Sequence, residues 1–478
     1  MSPAFSHLKE NTTIAAIATA RGQGGVSIIR ISGPEAFDIA GKVFVSAKSL
    51  QAPKFRPGRI YHGWINSHVE EIDKSPTAAC NNQETFLDEV LLLCFKAPNS
   101  FTGEDVIEIQ GHGGDYLSHL LLERCLFEGA VLAQPGEFTK RAFLNGKLDL
   151  TQAESVMDLV SAQNERLLHL ASANLKNRSL GSALDEMKRQ LIALQTHLVA
   201  HTDFPDEVEA PDRSDTFSAL TPLIHDVSHL AQAAERNRLL REGFKVAILG
   251  LPNSGKSSLF NALLASERAI VTEIAGTTRD VITETLVLEG VNITLLDTAG
   301  IRETGNTVEK IGIERSWHAA EEAQVVLYMI DSGVGLTNTD TDNLAQIQKI
   351  PTLLLANKMD LFPKISPKIS IENALPVSAK TGDGLDKVLA WLSGHILKHF
   401  SQDETASGIS LNQRQRQCVA NILIHLKMVS ETLQNPHLPL DLATVPLSDA
   451  LYEFDKLSGQ DTTEAVLDEV FSQFCVGK

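Results

Sequence analysis

Gly250-Leu-Pro-Asn-Ser-Gly-Lys-Ser257 has the residue types and spacing of a phosphate cradle, G-x-x-x-x-G-K-S. Glycines at those positions let successive backbone N–H groups converge on one concavity, with a helix N-terminus behind them. Lys256 is spaced to reach β- and γ-phosphates, and the Ser257 hydroxyl to ligate Mg²⁺. A glycine-rich turn that binds nothing would share this first motif but not its three companions. Asp297-Thr-Ala-Gly300 places a carboxylate where it can hold Mg²⁺ through water, and a glycine N–H that can approach a γ-phosphate. In Asn357-Lys-Met-Asp360, the Asp360 carboxylate suits N1–H and the exocyclic amine of guanine. Adenine offers neither donor and would leave that carboxylate unpaired, which selects the base strongly. Ser378-Ala-Lys380 supplies a backbone N–H suited to guanine O6. The chemistry read from the four motifs is GTP, not ATP.

Each motif needs a strand to deliver it, and each has one. The apolar runs are Phe244–Leu249, Val291–Leu296, Thr352–Ala356 and Ala374–Val377, and Ser258–Leu264 reads as the helix after the cradle. Around them, 478 residues are too many for one core, so roughly two to four domains are expected. Residues 1–150 mix short strand-like runs with Gly/Pro turns, an α+β pattern, with 69–86 expected as a surface loop. From Thr151 helical spacing takes over: Leu184, Met187, Leu191, Leu194 and Leu198 form a packing stripe. Six acids and two prolines between Asp203 and Asp215 read as an exposed connection. Helical pattern resumes over 218–241, then at 411–433, 447–457 and 463–474. The economical organisation is 1–147 as an α+β domain, 148–242 and 401–478 as two parts of one α-helical bundle, and 243–400 as a Ras-like α/β P-loop G domain inserted into it.

Composition is that of an ordinary globular chain, 43% hydrophobic and 21% charged. Five scattered cysteines without CxxC or His-paired spacing argue for a reducing compartment and against a zinc site or disulfide scaffold. Thr13–Ala20 reads as a first strand rather than a targeting peptide, and no apolar run approaches the ~20 residues of a membrane span, so a cytoplasmic protein with no membrane partner is expected. The net charge of −18 opposes bulk nucleic-acid binding, and composition advertises no basic patch. No G-x-G-x-x-G follows a strand, so a redox dinucleotide is expected elsewhere.

Beyond the G motifs, several segments resemble the MnmE/TrmE family of tRNA-modification GTPases over essentially the whole length. They are Gly24–Gly33, Ala97–Asp105, Glu108–Gly114, Pro135–Asp149 and Phe471–Lys478. The resemblance implies an N-terminal dimerisation and folate-binding domain, with Arg30, Glu108, Lys147 and Lys478 at the 5-formyl- or methylene-tetrahydrofolate contacts. It implies nucleotide contacts at Asn253, Ser254, Gly255, Lys256, Ser257 and Ser258, then at Thr272, Glu273, Ile274, Ala275, Gly276, Thr277 and Thr278. They continue through Asp297, Thr298, Ala299 and Gly300, then Asn357, Lys358, Met359 and Asp360, and finally Ser378, Ala379 and Lys380. Mg²⁺ would sit on Ser257 and Thr278, and K⁺ on Asn253, Thr272, Ile274 and Thr277. Ile301 stands where Ras-like enzymes carry a water-orienting glutamine, and Glu309 matches the family's catalytic glutamate. Cys475 belongs to the shared terminal motif without an assigned catalytic role. What the resemblance implies is a K⁺-stimulated homodimeric GTPase. Working with an FAD-dependent MnmG/GidA-type partner, it would install a (carboxymethyl)aminomethyl group at C5 of the wobble uridine of certain tRNAs. A ribosome-assembly or translation-associated switch would fit the G motifs equally well but leaves Arg30, Glu108 and Lys147 unexplained.

Overall fold

A computed structural model describes residues 12–20, 22–48, 51, 53–67, 86–162, 164–204, 206–265, 283–297, 320–362, 374–400, 409–460 and 463–477. The chain divides into two compact units, one of residues 1–157, 177–200 and 444–478, the other of 158–176 and 201–443.

In the first unit seven strands form one sheet. They are β1 (Ile14–Ile17), β2 (Val26–Ser32), β3 (Phe44–Ser46), β4 (Ile60–Asn66), β5 (Phe86–Phe95), β6 (Val106–His112) and β7 (Val131–Leu132), in the order β3-β4-β5-β6-β2-β1-β7. All neighbours are antiparallel except β1 and β7. Helices α1 (Ala36–Val43) and α2 (Asp115–Phe127) cover one face, where Ala15, Ile29, Ile31, Leu92, Ile107 and Ile109 join Ile39 and Leu121 in a core. The period of two then turns Ile14 and Ala16 to the opposite face, where they meet Phe138 of α3 (Glu137–Leu144). Cys94 and Cys125 are packing residues in the first core, and burial pushes their thiols up to about 11 and about 12.

Helix α3 is unusual in burying charge. Glu137, Lys140 and Arg141 are almost fully buried. Arg141 pairs with Glu137 at 2.8 Å and with Glu104 at 3.2 Å, and Lys140 reaches Asp468 at 2.6 Å. Asp468 lies on the helix α13 (Glu464–Ser472), and its carboxylate helps keep the Lys140 charge inside protein. At Gly136 (φ 68°) an added Cβ would stand 2.4 Å from the Phe471 carbonyl oxygen, so only glycine allows α13 to approach. The segment Pro135–Asp149, which carried much of the family resemblance, is thus the seat of the C-terminal tail. Within this unit α6 (Ser179–Asp203) also meets α12 (Thr444–Ser458), through Lys188 with Asp455 and through Gln195 Nε2 donating to Ser448 Oγ at 2.7 Å.

Among the described residues the second unit holds six strands: β8 (Phe244–Gly250), β9 (Thr283–Leu288), β10 (Val291–Asp297), β11 (Val325–Asp331), β12 (Thr352–Asn357) and β13 (Leu375–Pro376). Their order is β13-β12-β11-β8-β10-β9, parallel throughout except that β9 runs against β10. Strands β8 over Val246–Leu249 and β11 over Val325–Ile330 are buried on both faces and read as apolar runs, as a covered parallel sheet requires. Helices α8 (Lys256–Leu264) and α10 (Leu385–Phe400) pack on one face through Leu259, Leu263, Val388, Leu392 and Ile396. Outside the sheet, α7 (Arg213–Glu242) lies along α11 (Gln413–Gln434), and Arg213 donates to the Thr432 carbonyl at 2.9 Å. Arg241 pairs with Asp158, and Arg416 with Glu242 at 2.9 Å. The acid-rich run that reads as a connection joins α6 to α7 across 204–212, and Asp212 caps α7 by accepting from Ser214 N and Asp215 N. Among the described residues no helix is long and apolar enough to cross a membrane. The expected loop over 69–86 falls outside the described residues save Phe86, which begins β5.

Candidate functional site

The parallel strands β8, β10, β11 and β12 end at the same edge of the sheet, where an open α/β sheet holds its ligand. Three backbone positions in the turn from β8 to α8 have positive φ: Gly250 (144°), Asn253 (63°) and Gly255 (104°). An added Cβ would meet the Met329 carbonyl oxygen at 2.4 Å from Gly250, and Asn357 Nδ2 at 2.2 Å from Gly255. Both glycines are therefore fixed by contact as well as by conformation. The Lys256 ammonium arches over the loop, donating to the carbonyls of Gly250 (2.9 Å) and Leu251 (3.1 Å). Ser257 and Ser258 are exposed in the first turn of α8 together with exposed Asn253, whereas Ser254 is buried.

One side chain ties the phosphate end to the base end. Asn357, itself buried, donates from Nδ2 to the Ser254 carbonyl at 2.8 Å and accepts the Ala379 N–H at Oδ1 at 2.9 Å. Beside it Ser378 Oγ donates to Asp360 Oδ1 at 2.8 Å, which orients the carboxylate expected to read guanine. Lys358, half-buried, adopts φ 68°, a left-handed conformation that costs a non-glycine residue roughly 1 kcal/mol. Met359 N bonds the Val377 carbonyl at 3.3 Å, and Lys380 is exposed. Asp297 ends β10 beside Ile248. Thr272, Glu273, Ile274, Ala275, Gly276, Thr277, Thr278, Thr298, Ala299, Gly300 and Glu309 lie outside the described residues.

Sequence reasoning missed Asp331. It ends β11, and its Oδ2 holds the Lys358 ammonium at 2.7 Å while Oδ1 accepts the Gly333 N–H at 2.9 Å. Burial pushes the Asp331 carboxyl up, but Lys358 and the N–H groups of Gly333 and Val334 outweigh it and hold it below the usual carboxylate range. The signal was present: an acid closing an apolar strand adjacent to β8.

In the first unit, Arg30 and Glu108 are cross-strand partners on β2 and β6, joined through Arg30 Nε at 2.9 Å. The Arg30 guanidinium lies 5.6 Å from the ring centroids of both Phe101 and Phe138, and its Nη1 donates to the Gly477 carbonyl at 3.3 Å. Gly477 (φ 94°) is held against β1, where a Cβ would stand 2.3 Å from the Ile17 carbonyl oxygen. Lys147 donates to the Pro98 carbonyl at 3.0 Å, and its stem lies against Gly103. Three of the four sequence-predicted residues thus border the single turn 98–104 and its two flanking elements. Lys478 lies outside the described residues, one position beyond Gly477.

Comparison with known proteins matches both ends of this arrangement. The family model described as "GTP-binding protein TrmE N-terminus" matches residues 13–147, and that described as "MnmE helical domain" matches 150–475. A Synechococcus (strain JA-3-3Ab) protein named tRNA modification GTPase MnmE is 40% identical over 470 residues, 98% of each chain. The chain belongs to the MnmE/TrmE family. A second member named in the same way, from Thermotoga maritima, is 37% identical over 474 residues, spanning 98% of this chain and all of that one. Among solved structures, Era of Aquifex aeolicus bound to GDP and AlF4⁻ is similar at 26% identity, covering 38% of this chain and 67% of that one, with a TM-score of 0.26. An N-terminal domain, a helical domain and a P-loop G domain are joined in this one polypeptide.

Proposed function

We propose that this chain is a GTPase of tRNA modification, switched on by K⁺ and by pairing of two G domains. With an FAD-dependent MnmG/GidA-type partner, it would build the (carboxymethyl)aminomethyl group at C5 of the wobble uridine from a folate one-carbon unit. The observation that carries the nucleotide half is the Asn357 tie, which joins the phosphate loop to the base-reading loop and leaves Asp360 aimed by Ser378. Family membership supports both halves, since its members bear the name tRNA modification GTPase.

The residues present fit the groups the reading requires. Ser257, exposed at the start of α8, offers a hydroxyl to Mg²⁺, with Thr278 as its proposed partner. Asn253 offers an exposed amide oxygen on a loop of positive φ, toward which Thr272, Ile274 and Thr277 would complete an oxygen shell for K⁺. A monovalent cation held there would supply positive charge beside the phosphates, the service an arginine finger gives elsewhere. With Ile301 unable to orient water, that task falls to Glu309. At the Arg30 site, Glu108 would accept from pterin N–H donors, while Arg30, Lys147 and Lys478 would suit a glutamate tail and ring carbonyls. The assembly is proposed to be a cytoplasmic homodimer.

Turnover of the purified chain in K⁺ should exceed that in Na⁺ strongly, and Asn253→Ala should flatten the difference. Equal rates in both salts would remove the cation assignment. A reduced folate should be retained in equilibrium dialysis and lost in Arg30→Ala. For the tRNA assignment the decisive measurement is mass spectrometry of wobble nucleosides from cells lacking the gene; an unchanged nucleoside profile would sink it.

A further inference from the structure

Although the whole chain carries a net charge of −18, no carboxylate occurs between Asp38 and Glu70, and five cations do: Lys42, Lys48, Lys54, Arg56 and Arg59. The fold sets Lys42 and Lys54, with Lys96 from the end of β5, beside an aromatic cluster, and Arg56 and Arg59 follow Phe55 on the same segment. Phe55 lies 6.4 Å from Phe37 of α1 and 5.3 Å, edge-on, from Tyr61 of β4. The Lys96 ammonium stands 5.2 Å from the Phe37 ring centroid. The backbone carrying the cations is pinned: Arg56 N donates to the Tyr61 hydroxyl at 2.7 Å, and Gly58 N to the Cys94 carbonyl at 2.9 Å. Lys42 and Lys96 have local carboxylates, Glu128 at 3.6 Å and Asp105 at 2.5 Å. Lys54, Arg56 and Arg59 are exposed and have no ion pair among the described residues. Between α1 and the 53–55 segment lies a cleft of about 590 Å³ lined by Phe37, Phe55, Lys42, Lys54, Glu35 and Asp38.

Cations on a fixed backbone beside aromatic faces are what a nucleic-acid strand requires: charge for the phosphates and flat apolar surface for an unstacked base. The net charge of −18 carried by the whole chain would disfavour non-specific contact with RNA, so a local cationic face would also set orientation. We propose that the face formed by Lys42, Lys54, Arg56 and Arg59 around Phe37 and Phe55 is where this chain grips the phosphate backbone of a folded RNA. The inference rests on the tRNA-modification reading and names the surface that reading lacks. It favours RNA over an acidic protein because the charges flank ring faces and an open cleft.

The test is fluorescence anisotropy of an unmodified tRNA transcript against the full chain over a salt series, comparing it with Lys54→Gln/Arg56→Gln/Arg59→Gln. All three side chains are exposed, so an unchanged thermal midpoint is the folding control, and each single variant serves as a graded check. The expected result is a loss of at least about ten-fold in affinity at moderate salt, with the slope of log K against log salt falling by roughly one for each phosphate contact removed. Phe55→Leu should weaken binding without changing that slope. Equal affinity and slope in parent and triple variant would overturn the assignment and leave the cations to an acidic protein partner. Failure of the parent itself to bind the transcript would overturn the tRNA reading, and this inference with it.

Discussion

On the proposed function, the nucleotide loop and the Arg30 site would solve the same problem, recognition of a multiply charged ligand, with opposite materials. The loop between β8 and α8 is made of backbone: convergent amides, two contact-locked glycines and one ammonium, all within Gly250–Ser257. The Arg30 site is made of side chains from β2, β6 and the turn 98–104, closed by a tail 447 residues away in sequence from Arg30. A backbone cradle is contiguous by necessity and so leaves a motif. A side-chain site needs only that strands pair in the right register, and its residue types alone are indistinguishable from a surface ion pair.

The sharpest way to break that contrast is to give each site one methyl group. Gly255→Ala forces a Cβ into Asn357 at 2.2 Å and strains φ 104°, so affinity for GTP and GDP should fall at least about 100-fold by calorimetry, with folate retention untouched. If the loss appeared equally in folate retention, the two sites would not be independent. Gly477→Ala should do the converse, lifting the tail off the Ile17 carbonyl and weakening folate retention about ten-fold in dialysis while the KM for GTP stays within two-fold. Asp331→Asn should be milder. Freed from its ion pair, Lys358 no longer has a fixed course, and the KM for GTP should rise about five-fold with saturating turnover little changed. A proportional fall in turnover would place Asp331 in the chemistry instead.

The smallest expected effect concerns His112, on the same strand as Glu108. The hydrogen bond and charge of buried Asp88, 2.7 Å away, raise its pKa above the ordinary value. A raised imidazole pKa contributes stability that is full below the unfolded value of about 6.5 and is lost as pH rises through the folded one. The thermal midpoint should therefore drop slightly as pH rises from below about 6.5 through the raised folded value, and His112→Gln should abolish that share of the change. An identical pH dependence in the variant would assign it to other groups.

Much of the second unit was legible because each G motif follows an apolar run, and strand ends in a parallel sheet converge. Asp331 escaped because its partner, Lys358, lies on the neighbouring strand's exit and nothing local in the sequence links them. In the first unit the resemblance supplied Arg30, Glu108 and Lys147, but not why Pro135–Asp149 matters. That segment buries Lys140 against Asp468 and admits Phe471 at Gly136, a role visible only once α13 is seen docked. The cationic stretch after Asp38 was hidden by averaging, since a net charge of −18 conceals a local excess of five.

The carboxamide of Asn357 has a practical corollary for anyone following turnover by light. Because one planar group braces both the loop expected to seat the purine and the turn expected to wrap the phosphates, a dye built into the purine ring is expected to disturb the very loop whose emptying it is meant to report. A label hung from the sugar avoids that strut, and rates obtained with the two kinds of analogue should disagree.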